Sequence, residues 1–336
     1  MLAKISKIAL KIALGVIVVT VASGATYQFV QARNDRLAFP TPGIIYDVDG
    51  IDLHLDCRGE GSPTVVMEAG LTSGSNSWLQ VWQGISETTR FCAYDRPGID
   101  WSEAIGRTAD SKEISDRLHR LLEIAEINDD KILIGMSAGG VYVREYYHNH
   151  PEGIVGMVLI DSSHEQQANR LPANDGDDAF QTFLNFCRFL QPLGLIRAMG
   201  SLETFIDQVG IEGEGKQSWL ANLNQSSSCS SIYWEMQSFN EEVKDEQPPK
   251  SLGDLPLIVL SQGIEPEAIP EAGISKEQAI EERQIWNELQ LELTGLSTNG
   301  RRFLAMDSGH VIQFDQPELV IEKISQLALR QRVSSK

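Results

Sequence analysis

Residues 131–147, KILIGMSAGGVYVREYY, place a serine between two glycines where an apolar run stops and a helical pattern begins. Ile132, Leu133 and Ile134 read as a short buried strand, while Val141, Val143, Tyr146 and Tyr147 recur at roughly helical spacing. The pattern predicts that Ser137 sits on a strand-to-helix turn. Gly135, Ser137 and Gly139 fit G-x-S-x-G, in which a cramped turn lifts the serine oxygen clear of a sheet and the glycines let backbones pack closely. A nucleophile needs that exposure.

The segments on either side repeat the strand-then-helix rhythm. GIIYDVDGIDLHLDCRG alternates about Asp49-Gly50, a hairpin signal. PTVVMEAG and RFCAYDRPG read as strands ending in turns, with helical character between them in SWLQVWQGISETT. TADSKEISDRLHRLLEIAEI opens with a helix cap and puts Ile114, Leu118, Leu121 and Leu122 largely on one face. GIVGMVLID follows as another strand, so the core is an α/β domain with a mostly parallel sheet. From Ser162 to about Leu255 the rhythm breaks into apolar helical segments such as Phe180, Phe183, Leu184 and Phe186, read as a helical insertion over the sheet. PLIVLSQG restarts the strands, RRFLAMDSGH supplies the last, and PELVIEKISQLALRQ closes as an amphipathic helix. The division is therefore 43–161 with 256–336 as core and 162–255 as insertion.

Lys4, Lys7 and Lys11 precede a stretch, Ile12 to Ala32, that carries no charge. We read residues 1–32 as an export signal retained as a membrane anchor; a cleaved signal peptide, with VASGA at 21–25 as its cleavage site, is the alternative. Basic residues on the N-terminal side leave that end cytoplasmic and the domain outside, periplasmic or extracellular. QARNDRLAFPTPG reads as a polar linker over 33–42 that cannot continue a helix past Pro40 and Pro42. Outside the cytoplasm the four cysteines can oxidise. Of the three possible pairings we expect Cys57 with Cys92 and Cys187 with Cys229, each within one structural unit; four reduced, buried cysteines are the alternative. Nothing in their spacing suggests zinc. With 28 Lys and Arg against 47 Asp and Glu, a formal charge of -19 argues against nucleic acid as a partner.

VVMEAGLTSGSNSW, YDRPGIDWS, GMSAGG, VLIDSSHEQQ and MDSGHVIQFDQPE, in this order, resemble the α/β-hydrolase fold across nearly the whole domain from Gly43. The resemblance implies an eight-stranded, mostly parallel sheet flanked by helices, with a helical cap after the sixth strand. It also implies the chain order Ser, acid, His, with Ser137 as nucleophile and His310, just past the last strand, as base. His164 is read as a loop residue at the cap entrance. The acid usually follows the strand after the cap, where only Glu265, Glu267 and Glu271 are available. A minority of the fold carries it after the preceding strand, and Asp161 occupies that position, so Asp161 is the assignment with Glu265 and then Glu267 as alternatives. Oxyanion donors fall on the amides of Ala138 and Leu71, the latter in a turn where relatives often show His-Gly and this chain has Glu68-Ala69-Gly70. Asp95, Arg96, Gly98 and Ser102 are expected to brace the sheet edge, with Asp100 where relatives usually carry glycine.

These readings converge on an exported serine hydrolase that acts on a small-molecule or lipid ester without a metal or organic cofactor. A proline-releasing peptidase on the same fold and a catalytically silent binding protein are the alternatives. Haloalkane or epoxide chemistry usually needs a carboxylate where this chain has Ser137.

Overall fold

The computed structural model of the chain describes residues 2–172, 175–207, 213–244, 248–267 and 274–334. A long helix, α1 (Leu2–Ala38), precedes the hairpin β1 (Ile44–Val48) and β2 (Ile51–Arg58). Next come β3 (Thr64–Glu68), a single turn of tighter helix at Ser75–Trp78, α2 (Trp82–Ser86), β4 (Phe91–Tyr94) and α3 (Ser111–Ile124). The units β5 (Lys131–Met136), α4 (Gly139–Asn149) and β6 (Ile154–Ile160) follow. Between β6 and β7 (Leu257–Gln262) lie α5 (Gln167–Arg170), α6 (Asp175–Leu190), α7 (Leu195–Met199), α8 (Ser201–Asp207), α9 (Gly213–Leu223) and α10 (Ser228–Glu242), which form the cap. The chain ends with α11 (Lys276–Thr294), β8 (Gly300–Ala305), α12 (Ile312–Asp315) and α13 (Pro317–Ser334).

The sheet has eight strands in the order β1-β2-β4-β3-β5-β6-β7-β8. β2 pairs antiparallel with β1 and β4, and every other neighbour is parallel. Every residue of β3 and β5 is buried because helices cover both faces. Their side chains alternate: Val65, Met67, Ile132 and Ile134 join Trp78, Trp82 and Ile324 on one side, while Val66 and Leu133 join Leu118, Leu122 and Tyr146 on the other. A separate apolar cluster of Leu184, Cys187, Ile196, Trp219, Cys229 and Ile232 holds the cap together and reaches Ile99 and Phe314 of the core. Cys57 pairs with Cys92 across the β2–β4 register, and Cys187 with Cys229 between α6 and α10, with Cα separations of 4.1 and 5.7 Å.

The linker expected over 33–42 is shorter than the sequence implies. α1 runs on to Ala38, two residues before Pro40, and its second half is docked on the cap. The Gln28 amide donates to the Asn224 carbonyl at 2.6 Å, Arg197 pairs with Asp35 at 2.6 Å, and Arg36 donates to Gln225 at 3.1 Å. A side chain at Gly24 would strike the Leu193 carbonyl, so the two backbones meet there. Two of the polar residues that made 33–38 resemble a linker, Asp35 and Arg36, instead bind this helix to the cap.

Candidate active site

β5, in the middle of the sheet, delivers Ser137 just past its C-terminal end, where the backbone turns through φ +52° before α4 begins at Gly139. That sparsely populated conformation is held by close packing and by backbone bonds. A side chain at Gly139 would overlap the carbonyl of Glu68, and one at Gly135 would meet Gly139 and Gly140. The Ser137 amide donates to the Ile160 carbonyl at 3.1 Å, and the Ser163 amide donates to the Ser137 carbonyl at 2.9 Å. The turn is thereby tied to the end of β6, where Asp161 also takes a positive φ, +40°.

From these ends three side chains meet. His310 Nε2 lies 3.0 Å from Ser137 Oγ, and His310 Nδ1 lies 2.7 Å from Asp161 Oδ2. Asp161 is fully buried, whereas the His310 side chain is 44% exposed, so the pair has a dry end and a wet end. The other carboxylate oxygen, Oδ1, accepts from the Gln262 amide at 3.0 Å and from Trp286 Nε1 at 3.1 Å. Trp286 also packs edge-on against His310, with ring centroids 5.9 Å apart. Glu265 and Glu267 are exposed and line a cavity of about 610 Å³ with Arg283 and Trp286. It is Asp161 that contacts His310; Glu271 lies outside the described residues.

The amides of Leu71 and Ala138 have no hydrogen-bond acceptor in the chain among the described residues. The Leu71 turn is held from beneath by Arg96. Its guanidinium donates to the carbonyls of Ala69 at 2.8 Å, Gly70 at 2.6 Å and Ser73 at 3.2 Å, and it pairs with Glu68 and, at 2.6 Å, with Glu235 of α10. Glu235 also accepts the Thr72 amide at 2.7 Å. Burial raises the Glu68 carboxyl above its ordinary value against the opposing pull of Arg96. Burial works against the Arg96 charge too, but Glu235 and Glu68 outweigh it and hold the guanidinium firmly protonated.

The Asp95 turn, just past β4, is tied to β2 and to the Ser75 turn. Asp95 Oδ2 meets His54 Nδ1 at 2.6 Å, and Oδ1 accepts the Ser75 amide at 2.6 Å. Asp100 takes a φ of +42°, a conformation that aspartate tolerates better than most residues. His164 is fully buried and accepts the Gln166 amide on Nδ1 at 3.1 Å. Sequence reasoning did not find Trp286, which is one apolar position on a long amphipathic helix 125 residues from Asp161. Nor did it find Glu235, whose partners lie 139 and 163 residues away.

Residues 63–226 match the family model described as the alpha/beta hydrolase fold. An uncharacterized protein of Schizosaccharomyces pombe is 28% identical over 263 residues, covering 67% of this chain and 47% of that protein, so the chain spans about half the length of this relative. Among solved structures, a thermophilic esterase from Thermogutta terrifontis superposes with a TM-score of 0.59 at 16% identity, over 86% of this chain and 98% of that one. The epoxide hydrolase CorEH superposes equally well, with a TM-score of 0.59 at 15% identity, over 84% and 97%. Two chemistries on one scaffold mean that these likenesses speak for the fold alone. With its strand order, its serine at the β5–α4 turn and its cap between β6 and β7, the chain belongs to the α/β-hydrolase fold.

Proposed function

We propose that the chain is a serine hydrolase that cleaves a carboxylic ester, held on a membrane by α1 with its folded domain outside the cytoplasm. The observation that carries this reading is the continuous contact Ser137 Oγ to His310 Nε2 to Asp161 Oδ2, at 3.0 and 2.7 Å. His310 removes the proton from Ser137 as its oxygen attacks the ester carbonyl, and Asp161 fixes the ring tautomer and stabilises the imidazolium. The carbonyl oxygen gains negative charge and accepts from the Ala138 and Leu71 amides. His310 then returns the proton to the departing alcohol, leaving an acyl group on Ser137. Water attacks that acyl carbon with His310 again as base, releasing the acid and restoring the serine.

Ser137 in place of a carboxylate supports an oxygen-acyl intermediate over epoxide chemistry. Support for the membrane location comes from α1, which is long and apolar enough to cross a bilayer and whose most apolar part is not buried by the rest of the chain. The two cysteine pairs fit an oxidising compartment. The test is hydrolysis of a graded series of p-nitrophenyl esters, with a proline arylamide and a fluorophosphonate label alongside. Ester turnover and labelling that vanish together in Ser137→Ala are the expected result. A folded protein that takes no label and turns over none of these substrates would instead be a silent member of the fold.

A further inference from the structure

The second half of α1 does not hang free below the domain. Its contact with the cap starts at Gly24–Gln28, inside the charge-free stretch Ile12–Ala32, and continues past the first charge, Arg33, to Asp35 and Arg36. At about 1.5 Å per residue that stretch is about 31 Å long, the thickness of a hydrocarbon core. The cap thus meets α1 on both sides of Arg33, with Arg197 joined to Gln28 and to Asp35. The contact is built rather than incidental. The Leu193 carbonyl occupies the space beside Gly24, Tyr27 packs on Gly194, and the fully buried Gln28 donates to Asn224 and accepts from Arg197 at 3.2 Å.

The cap residues on either side of this contact are apolar and exposed. Phe186 and Phe189 lie one helical turn apart on α6, and Leu195 and Met199 one turn apart on α7, with exposures of 64, 65, 45 and 72%. On α1 itself Phe29 is 67% exposed, and the run from Ile8 to Val21 is exposed throughout. Exposed aromatic and aliphatic side chains that continue from an apolar span are the pattern of a membrane interface, where rings settle at the headgroup level. Water leaves such side chains without a partner, whereas a bilayer crossed by Ile8–Val21 would offer them one.

We infer that the outer face of the cap, Phe186, Phe189, Leu195 and Met199, is a second bilayer contact, inserted in the interfacial layer of the membrane that α1 crosses. This rests on the anchoring proposed above and adds to it. The domain lies on the lipid by way of its cap, and an ester dissolved in that leaflet is the class of substrate presented to it.

The test reconstitutes the full chain in phosphatidylcholine vesicles containing a phosphatidylcholine with a photoactivatable acyl chain, and maps the adducts by peptide mass spectrometry. Adducts are expected in residues 8–21 and also in 183–199. Adducts in 8–21 alone would overturn the cap contact while leaving the anchor standing, and a cross-linkable dimer through 183–199 in that case would assign the face to a second copy. Absence of adducts from 8–21 as well would overturn the anchor and the cap contact together. In the double variant Phe186→Ser, Phe189→Ser, labelling of 183–199 should fall about tenfold with labelling of 8–21 unchanged; undiminished cap labelling would refute the role of these rings. None of these readouts depends on hydrolysis.

Discussion

Among the described residues, two histidine–aspartate pairs join Nδ1 to a buried carboxylate in nearly the same geometry. His310 and Asp161 approach to 2.7 Å, His54 and Asp95 to 2.6 Å, each through Nδ1 and Oδ2. They differ in what the other ring nitrogen meets. Nε2 of His54 is held by the Pro42 carbonyl, and the whole side chain is buried, so the pair fastens the end of the segment after α1 to the sheet. Nε2 of His310 faces a serine oxygen at a partly open surface. A carboxylate beside an imidazole is therefore no sign of chemistry by itself. The uncommitted nitrogen and the group opposite it decide between a brace and a base. Burial lowers the His54 affinity for a proton, but Asp95 outweighs it and the net shift is upward, as a fastening ion pair requires.

Substitutions can break that comparison. The largest effect is expected for His310→Ala, which should cut ester turnover by about a millionfold with the unfolding midpoint nearly unchanged. Asp161→Asn follows, with about a ten-thousandfold loss in kcat at neutral pH, because the wrong tautomer would face Ser137; Glu265→Gln should stay near wild type, and the reverse result would move the acid to the loop after β7. His54→Ala should give the opposite phenotype to His310→Ala. Urea unfolding should show a loss of about 3 kcal/mol, from an aspartate left buried without its partner, while turnover per folded molecule is unchanged. Trp286→Phe removes one of the two donors to Asp161 Oδ1, and about a fivefold fall in kcat together with a displaced acidic limb of the pH profile is expected. A change in stability alone would make Trp286 merely structural.

The smallest effect concerns the brace's own neighbour. Burial, and then Asp95, push the Asp100 carboxyl up to about 8. The folded chain thus holds a proton there that the unfolded chain loses near its ordinary 3.8. Folding takes up that proton between the two values, so its contribution to stability is present below about 4 and is lost as pH rises through about 8. Asn is compatible with the positive φ and keeps an acceptor for the Asn76 amide. Asp100→Asn should accordingly match wild type near pH 4 and exceed its Tm by about 3 °C at pH 9. A Tm difference that does not grow with pH would remove Asp100 from the titration.

What could be read in the sequence was whatever chemistry demands locally. GMSAGG needs its glycines within two residues of the serine, MDSGH follows directly from its strand, and Asp161 ends β6 in the same way. The course of the core was legible for the same reason, since strand and helix periods are local. Groups that act across the fold left no such trace. Trp286 looks like any apolar residue of a long helix, and Glu235 like any acid in an acidic cap. The seam between α1 and the cap is made of single contacts up to 198 residues apart, so Arg36 and Asp35 read as linker residues when they are joints.

Glu235 has a further consequence. One carboxylate on a cap helix takes both the Thr72 amide, next to the proposed oxyanion donor, and the guanidinium that holds the carbonyls around it. A shift of α10 would take that carboxylate from both at once, leaving Arg96 on Glu68 and the carbonyls and the Thr72 amide bare. The cap and the turn after β3 are thus riveted together by a single side chain.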